Sequence, residues 1–302
     1  MPKLTHTEVI MGIKLNLGAS PIWNKEGWHT LDHKLKESTD FAIAGDASNI
    51  LLPDESCNIV FCSHIFEHIP HISLPVVLSE INRILTVNGV LRILTPDLSR
   101  IAKAYVEQDN AFFALLKQED ESIRTDLGFG GMMMNFIVSP GQDTVLFDRN
   151  LNQFIAGYAH LYSYDYQMLS ILLEALGYSS KQVAFCDSEI PELRQPLHVI
   201  GLEEKWQNFN QDFYSRNKLI HRMTNGKYEI NFKVTGFDRD PNTSLIIEAK
   251  KLKYVDKKTA DNLFNKSTQN YNRYSTSLLS SLDFVDKLKA LNISYPEQTI
   301  ND

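Results

Sequence analysis

Through the first third of the chain, apolar residues gather in short unbroken runs, with helically spaced apolar positions between the later ones. The runs Ile13 to Leu17, Trp28 to Leu31, Phe41 to Ala44, Asn58 to Cys62 and Val90 to Leu94 are too short for helices. They lack the polar alternation of a half-exposed strand, so they read as largely buried strands. Between the last two, Leu74, Val77, Leu78, Ile81, Ile84 and Leu85 recur at three- and four-residue intervals. That spacing predicts a helix capped by Ser73 and ended at Asn88-Gly89. Strands separated by helices imply an α/β protein with a mostly parallel, doubly wound sheet.

Further on the pattern weakens. Asp97 to Leu116 turns helical, and Asp126 to Asp143, rich in glycine and methionine, has no steady period and reads as an adaptable loop. It is placed at the carboxyl end of the sheet, as a substrate cover or a packed surface loop. Asp165 caps a helix with Met168, Leu169, Ile171, Leu172, Leu173 and Leu176 inward and Gly177 as its stop. Ser244 to Ala249 reads as the final strand. A helix and the strand-like Y-E-I-N-F-K-V-T fall between Ile200 and Pro241 without a firm place. The expected organisation is one domain over 1–252, with substrate-side insertions near 120–160 and 200–240, and a polar, Asn/Ser-rich appendage over 253–302. The appendage ends in an amphipathic helix, Leu278 to Leu291. Mixed charge on its polar face suits packing on its own domain or a sister subunit better than a membrane, which leaves a homo-oligomer open.

The first candidate chemistry sits where the opening strands end. In open α/β sheets ligands bind beyond the carboxyl ends of the strands. A residue without Cβ lets the backbone approach, and an acidic side chain accepts from ribose hydroxyls. Gly18 and Asp32 fit those roles, although Gly18 also fits a plain strand-to-turn glycine. One glycine followed by Ala19, Ser20 and Pro21 is not the three-glycine cradle of a pyrophosphate. Asp32 also follows Gly18 by 14 residues, where a dinucleotide site wants about 20. A nucleoside without phosphate fits better than a dinucleotide, which disfavours a nicotinamide oxidoreductase.

These pieces stand in order with G-D-A-S-N from Gly45, C-S-H-I-F-E-H-I-P from Cys62, and E-I-N-R-I-L-T-V-N-G-V-L-R-I-L-T-P-D-L from Glu80. Together they resemble the S-adenosylmethionine (SAM)-dependent methyltransferases of the type 11 group, densely from Lys14 to about Tyr105. D-Y-Q-M-L-S-I-L-L-E-A-L-G-Y and T-S-L-I-I-E-A-K-K are similar to later parts of that group. The resemblance implies a Rossmann-like class I fold and SAM as cofactor. It implies that Asn16, Gly18, Ala19 and Ser20 face the methionine end, Asp32 the ribose diol, and Asp46 with Ala47 the adenine. Ser63 and His64 would lie where cofactor methyl and acceptor meet. Methyl transfer to oxygen or nitrogen needs proton removal, for which His64 is the first candidate, with His160 and His68 behind it. A structural hydrogen bond for His64, and a core role for the aromatics beside His160, are equally open. Arg83, Arg92 and Asp97 are read as ion-pairing residues without catalytic role. By family analogy alone, the acceptor is a small molecule or glycan-type hydroxyl.

Composition narrows the remaining classes. A net charge of -7 and a pI near 5.7 give no broad basic footprint, so nucleic acid is not an expected partner. Three cysteines without a CxxC pair, no apolar leader and no membrane-length apolar run set the expectation of a cytoplasmic protein. His64-Ile65-Phe66-Glu67-His68 matches the H-x-x-E-H pattern of a zinc hydrolase. Pro70 closes the turn too soon for a supporting helix, so no metal ligands are assigned. A methyltransferase-fold subunit serving only as a scaffold is the non-enzymatic alternative.

Overall fold

A computed structural model describes residues 12–19, 23, 25–33, 35, 37–119, 123, 125–138, 145–148, 153–156, 160–198, 220–222, 228–230, 236–256, 258–260 and 262–263. The five opening strands are β1 (Ile13–Leu17), β2 (His29–Asp32), β3 (Ala42–Ala44), β4 (Cys57–Ser63) and β5 (Leu85–Pro96). With β6 (Tyr178–Gln182) and β7 (Ser244–Lys251) they make one sheet in the order β3-β2-β1-β4-β5-β7-β6. Only β7 runs antiparallel to its neighbours. The order reverses between β1 and β4, the position at which open α/β sheets hold ligands.

Helix α1 (Leu74–Ile84) buries Leu74, Val77, Leu78, Ile81 and Ile84, as the 3.6-residue period demands. Two of its expected ends differ. The Ser73 side chain makes no cap bond, Pro75 being in the first turn, where a missing N–H is harmless. The helix stops at Ile84, because Leu85 is already extended and begins a 12-residue strand. Asn88, at φ 69°, lies within β5, where its pairing with β4 shifts register. Asn88-Gly89 is therefore a kink in a strand and not a helix stop.

The helical stretch after Asp97 is two helices, α2 (Leu98–Glu107) and α3 (Asn110–Glu119). The break is Gln108 at φ 53°, followed by Asp109, whose carboxylate accepts from Ala111 N and Phe112 N. The expected loop after Asp126 is in fact a helix over much of its length, α4 (Gly128–Val138). It is apolar around most of its circumference, so periodicity could not reveal it. Met132 and Phe136 pack with Ile101, Ala104, Phe113 and Leu116 as a third core cluster. Helix α5 (Tyr166–Ala175) carries the expected Asp165 cap, with Met168 N donating at 2.8 Å. Gly177 turns the chain at φ 81°. Ile171, expected inward, is 60% exposed.

One face of the sheet is closed by α1 and α5. The other is closed, among the described residues, by aromatic side chains: Trp23, Trp28, Phe61 and Phe237 pack with Phe185, Leu193 and Ile246. Trp23 Nε1 donates to Gly236 O and Trp28 Nε1 to Glu192, which anchors this cover to the sheet. Arg92, buried in β5, donates to Asp238 Oδ1 at 2.8 Å and to Glu248 Oε1 at 2.6 Å. Arg83 donates to Glu80 and Asp54, and Asp97 caps α2. The three cysteines are buried and unbridged. No helix among the described residues is long and apolar enough to cross a membrane. The strand-like Tyr228–Ile230 pairs with Ile220–Arg222. The helix expected between Ile200 and Pro241 and the appendage helix at Leu278 to Leu291 lie outside the described residues.

Candidate functional site

A cavity of about 510 Å³ opens beyond the carboxyl ends of β1, β2 and β3. Each strand delivers one part of its wall. At the end of β1, Gly18 takes φ 72° and donates its N–H to Leu31 O at 2.6 Å, locking the turn against β2. A Cβ there would lie 2.6 Å from Ile65 Cδ1. Gly18→Ala is expected to lower stability by about 1–2 kcal/mol, the cost of a left-handed L-residue, and to push Ile65 into the cavity. Chemical denaturation reads the first effect, and an unchanged midpoint would refute it.

Strand β2 ends on Asp32, 7% exposed, and β3 leads into Gly45, Asp46 and Ala47, all on the cavity wall. Asp46 Oδ1 accepts from Ser48 N at 2.8 Å and Ser48 Oγ at 2.6 Å, and these bonds hold its carboxyl below the usual aspartate range. Both bonds use Oδ1, which leaves Oδ2 for an incoming donor. Leu17, Leu31, Ile65, Ile69, Val76 and Val77 supply apolar surface. An acidic residue at the second strand end, an acidic turn after the third and apolar walls together suit an uncharged nucleoside.

Gly18, Asp32, Asp46 and Ala47 thus share one cavity. Asn16, Ala19, Ser63 and His64 are absent from its wall. Asn16 is 4% exposed inside β1, and strand alternation turns it away from Leu15 and Leu17. Ala19 belongs to the aromatic cluster on the far face. Ser63 Oγ is buried without a hydrogen-bond partner. Ser20 lies outside the described residues.

His64 follows β4 with φ 53°. Its Nε2 lies 3.0 Å from Ser244 Oγ and 3.6 Å from Asp240 Oδ2, and its Nδ1 lies 3.0 Å from Glu67 Oε1. Both ring nitrogens are therefore engaged by the protein. His68 lines the cavity, and its ring meets that of His160 edge to face at 5.1 Å. His160 Nδ1 lies 2.9 Å from Phe136 O, and a carbonyl can only accept, so this nitrogen carries the proton and Nε2 is a lone-pair donor. Burial above all holds the His160 imidazole below the usual histidine range. Tyr164, beside it in sequence, is fully buried, while Tyr162 stacks on His71 at 4.2 Å.

Sequence reasoning missed His33, Ile65 and Ile69 in the wall; their only local signal is position just past a strand end. It weighed His64 with His68 through the H-x-x-E-H spacing and assigned no metal ligands. The structure groups Glu67, His68 and His160 instead, with Glu67 and His68 in a 3-10 turn of three residues.

Residues 24–93, which span β2 to most of β5, match the family described as Methyltransferase domain. No curated protein matches the chain significantly. Among solved structures, a SAM-dependent methyltransferase from Archaeoglobus fulgidus is 17% identical, covers 82% of this chain and 90% of that one, and superposes with a TM-score of 0.35. An S-adenosylmethionine-dependent methyltransferase from Mesorhizobium loti is 11% identical over 81% and 93% of the two chains, with a TM-score of 0.38. Superpositions this loose add no weight, and the likeness rests on the domain match. Through residues 24–93 the chain is similar to the methyltransferase domain family, a match that implies S-adenosylmethionine as cofactor.

Proposed function

We propose that the protein methylates a hydroxyl oxygen on a small-molecule or glycan-type acceptor, with the cofactor held in the cavity beyond β1 to β3. The observation that carries the cofactor half of this reading is the convergence of Gly18, Asp32 and the Asp46–Ala47 turn on one cavity. Asp32 would accept from the ribose hydroxyls, and Asp46 from the exocyclic amine of the adenine. Gly18 would let the backbone approach the methionine end. When bound, the cofactor supplies an electrophilic methyl on a sulfonium, so the protein contributes proximity, orientation and handling of the acceptor's proton.

The acceptor half is supported by what stands at the rim. His68 lines the cavity, with Glu67 and His160 grouped against it, and an oxygen or nitrogen acceptor, unlike a thioether, must lose a proton. His64, with both nitrogens engaged, acts on this rim through Glu67 as a positioning residue. His160 keeps Nε2 as its lone-pair nitrogen.

Isothermal titration of the dialysed protein with S-adenosylmethionine and S-adenosylhomocysteine tests the cofactor half. Micromolar binding of both, and none of NADH, is expected. Absence of binding, after ruling out ligand carried through purification, would bring the scaffold alternative forward. Turnover of labelled cofactor against panels of sugar hydroxyls, amines and thiols then tests the acceptor class. Label appearing only on amines or thiols would overturn O-methylation.

A further inference from the structure

The three side chains at the cavity rim form more than a polar edge. One carboxylate oxygen of Glu67 and one ring nitrogen each of His68 and His160 lie within 4.8 Å of one another. A divalent ion with ligand bonds of about 2.0–2.2 Å can be shared at that spacing after modest side-chain rotation. Two imidazoles and one carboxylate on one side of an ion, with positions left open, are the donor set of catalytic Zn²⁺ and of non-haem Fe²⁺ sites.

Two further observations point to a ligand here. Glu67 is fully buried, with His64 Nδ1 3.0 Å from its Oε1. A carboxylate oxygen has a second lone pair to offer an ion. A fully buried carboxylate is costly unless it is well paired, and an ion would add to that pairing. The second observation is the outer support. Glu67 Oε2 accepts from Thr95 Oγ at 3.1 Å, and His160 donates Nδ1–H to the Phe136 carbonyl. Metal-binding histidines almost always donate their other ring N–H in this way, and ligating carboxylates are themselves hydrogen-bonded.

The chain is also built to bring the two halves together. Leu161 N donates to Glu67 O at 2.6 Å, and Tyr162 N donates to the same oxygen. The residue after His160 is thereby stitched to the residue before His68.

We propose that Glu67, His68 and His160 bind one divalent transition-metal ion at the rim of the adenosyl cavity, and that this ion holds the acceptor by its hydroxyl oxygen. The ion site stands on its own geometry; the acceptor role rests on the methyl-transfer reading above. Because His68 belongs to the cavity wall, an oxygen on the ion's open positions would stand beside the cofactor. An ion there also polarises that oxygen, a task the engaged ring of His64 is poorly placed to perform. Acceptors with two neighbouring oxygens, such as a vicinal diol, suit the open positions best.

The test is titration of the EDTA-treated full-length protein with Co²⁺, read by visible d–d absorption, followed by displacement with Zn²⁺. One equivalent of absorbing Co²⁺, displaced by Zn²⁺, is expected. His68→Gln and His160→Gln should each weaken binding at least about tenfold. His68 is only partly buried, so its variant serves if the other fails to fold by circular dichroism. Asp32→Ala should keep the cobalt band while losing the adenosyl ligand. If the wild type gives no band yet binds S-adenosylhomocysteine, the ion site is wrong and the methyltransferase reading stands. A band that survives both histidine substitutions also overturns the site. A band without adenosyl binding would keep the site and remove the acceptor role.

Discussion

Arg92→Met is expected to destabilise the protein by about 3–5 kcal/mol, because it strips the cation from two buried carboxylates. Arg92 is fully buried and holds Asp238 through two nitrogens, Glu248 through a third contact, and the Asp187 carbonyl at 3.1 Å. Asp238 Oδ2 additionally accepts from Cys186 N at 2.7 Å. The cluster ties β5 and β7 to the segments that close the aromatic face. Methionine keeps the volume and removes every donor, so the loss is electrostatic and not a cavity effect. Urea unfolding reads it as a lower midpoint at constant slope. Adding Asp238→Leu and Glu248→Met should recover most of the loss, since an apolar replacement of a whole buried ion cluster is often neutral or better. A single-variant loss below about 1 kcal/mol would mean that water or relaxation already compensates these charges.

Asp32→Ala is expected to weaken S-adenosylhomocysteine binding by about ten- to a hundredfold. That corresponds to about 1.5–3 kcal/mol for a hydrogen bond to a charged group. The residue sits at the end of β2 with its side chain 8% exposed, 3.8 Å from His33 Nδ1. Asp32 also serves the fold through its backbone oxygen, which accepts from Leu35 N and Gly45 N. The substitution leaves these backbone bonds in place, and a melting scan alongside separates lost affinity from lost stability. Asp32→Asn separates charge from shape: it retains one acceptor and should lose less. Titration calorimetry on both variants checks this, and an unchanged affinity for Asp32→Ala would remove the ribose role.

The sheet was legible where burial is two-sided. Strands β1 to β5 are apolar along most of their length because both faces are covered, and a run such as I-V-F-C has few other uses. Strand β6, Y-S-S-K-Q, has, among the described residues, a strand neighbour on one side, so it carries little of that signature and was not foreseen. Helix α4 was hidden for the opposite reason: G-F-G-G-M-M-M-N-F-I-V is apolar at nearly every position, leaving no contrast between faces. The same logic divides the site. Gly18, Asp32, Asp46 and Ala47 are each adjacent to a strand end, so local sequence locates them. Glu67 and His160 lie far apart in the chain and are brought together by the bonds from Leu161 and Tyr162 to the Glu67 carbonyl. No local pattern encodes that encounter.

The position of β7 bears on how the protein is made. It fills the gap between β5 and β6, yet it comes from Ser244–Lys251, long after β5 ends at Pro96. At about 5–20 residues per second a ribosome needs about 7–30 s to span that interval. Through that time the outer edge of β5 has no native partner, and β6 has none at all until β7 emerges. An open apolar edge is a template for pairing with other chains. Protection of that edge during translation is expected to raise the yield of folded protein, which soluble yield with and without added chaperone checks.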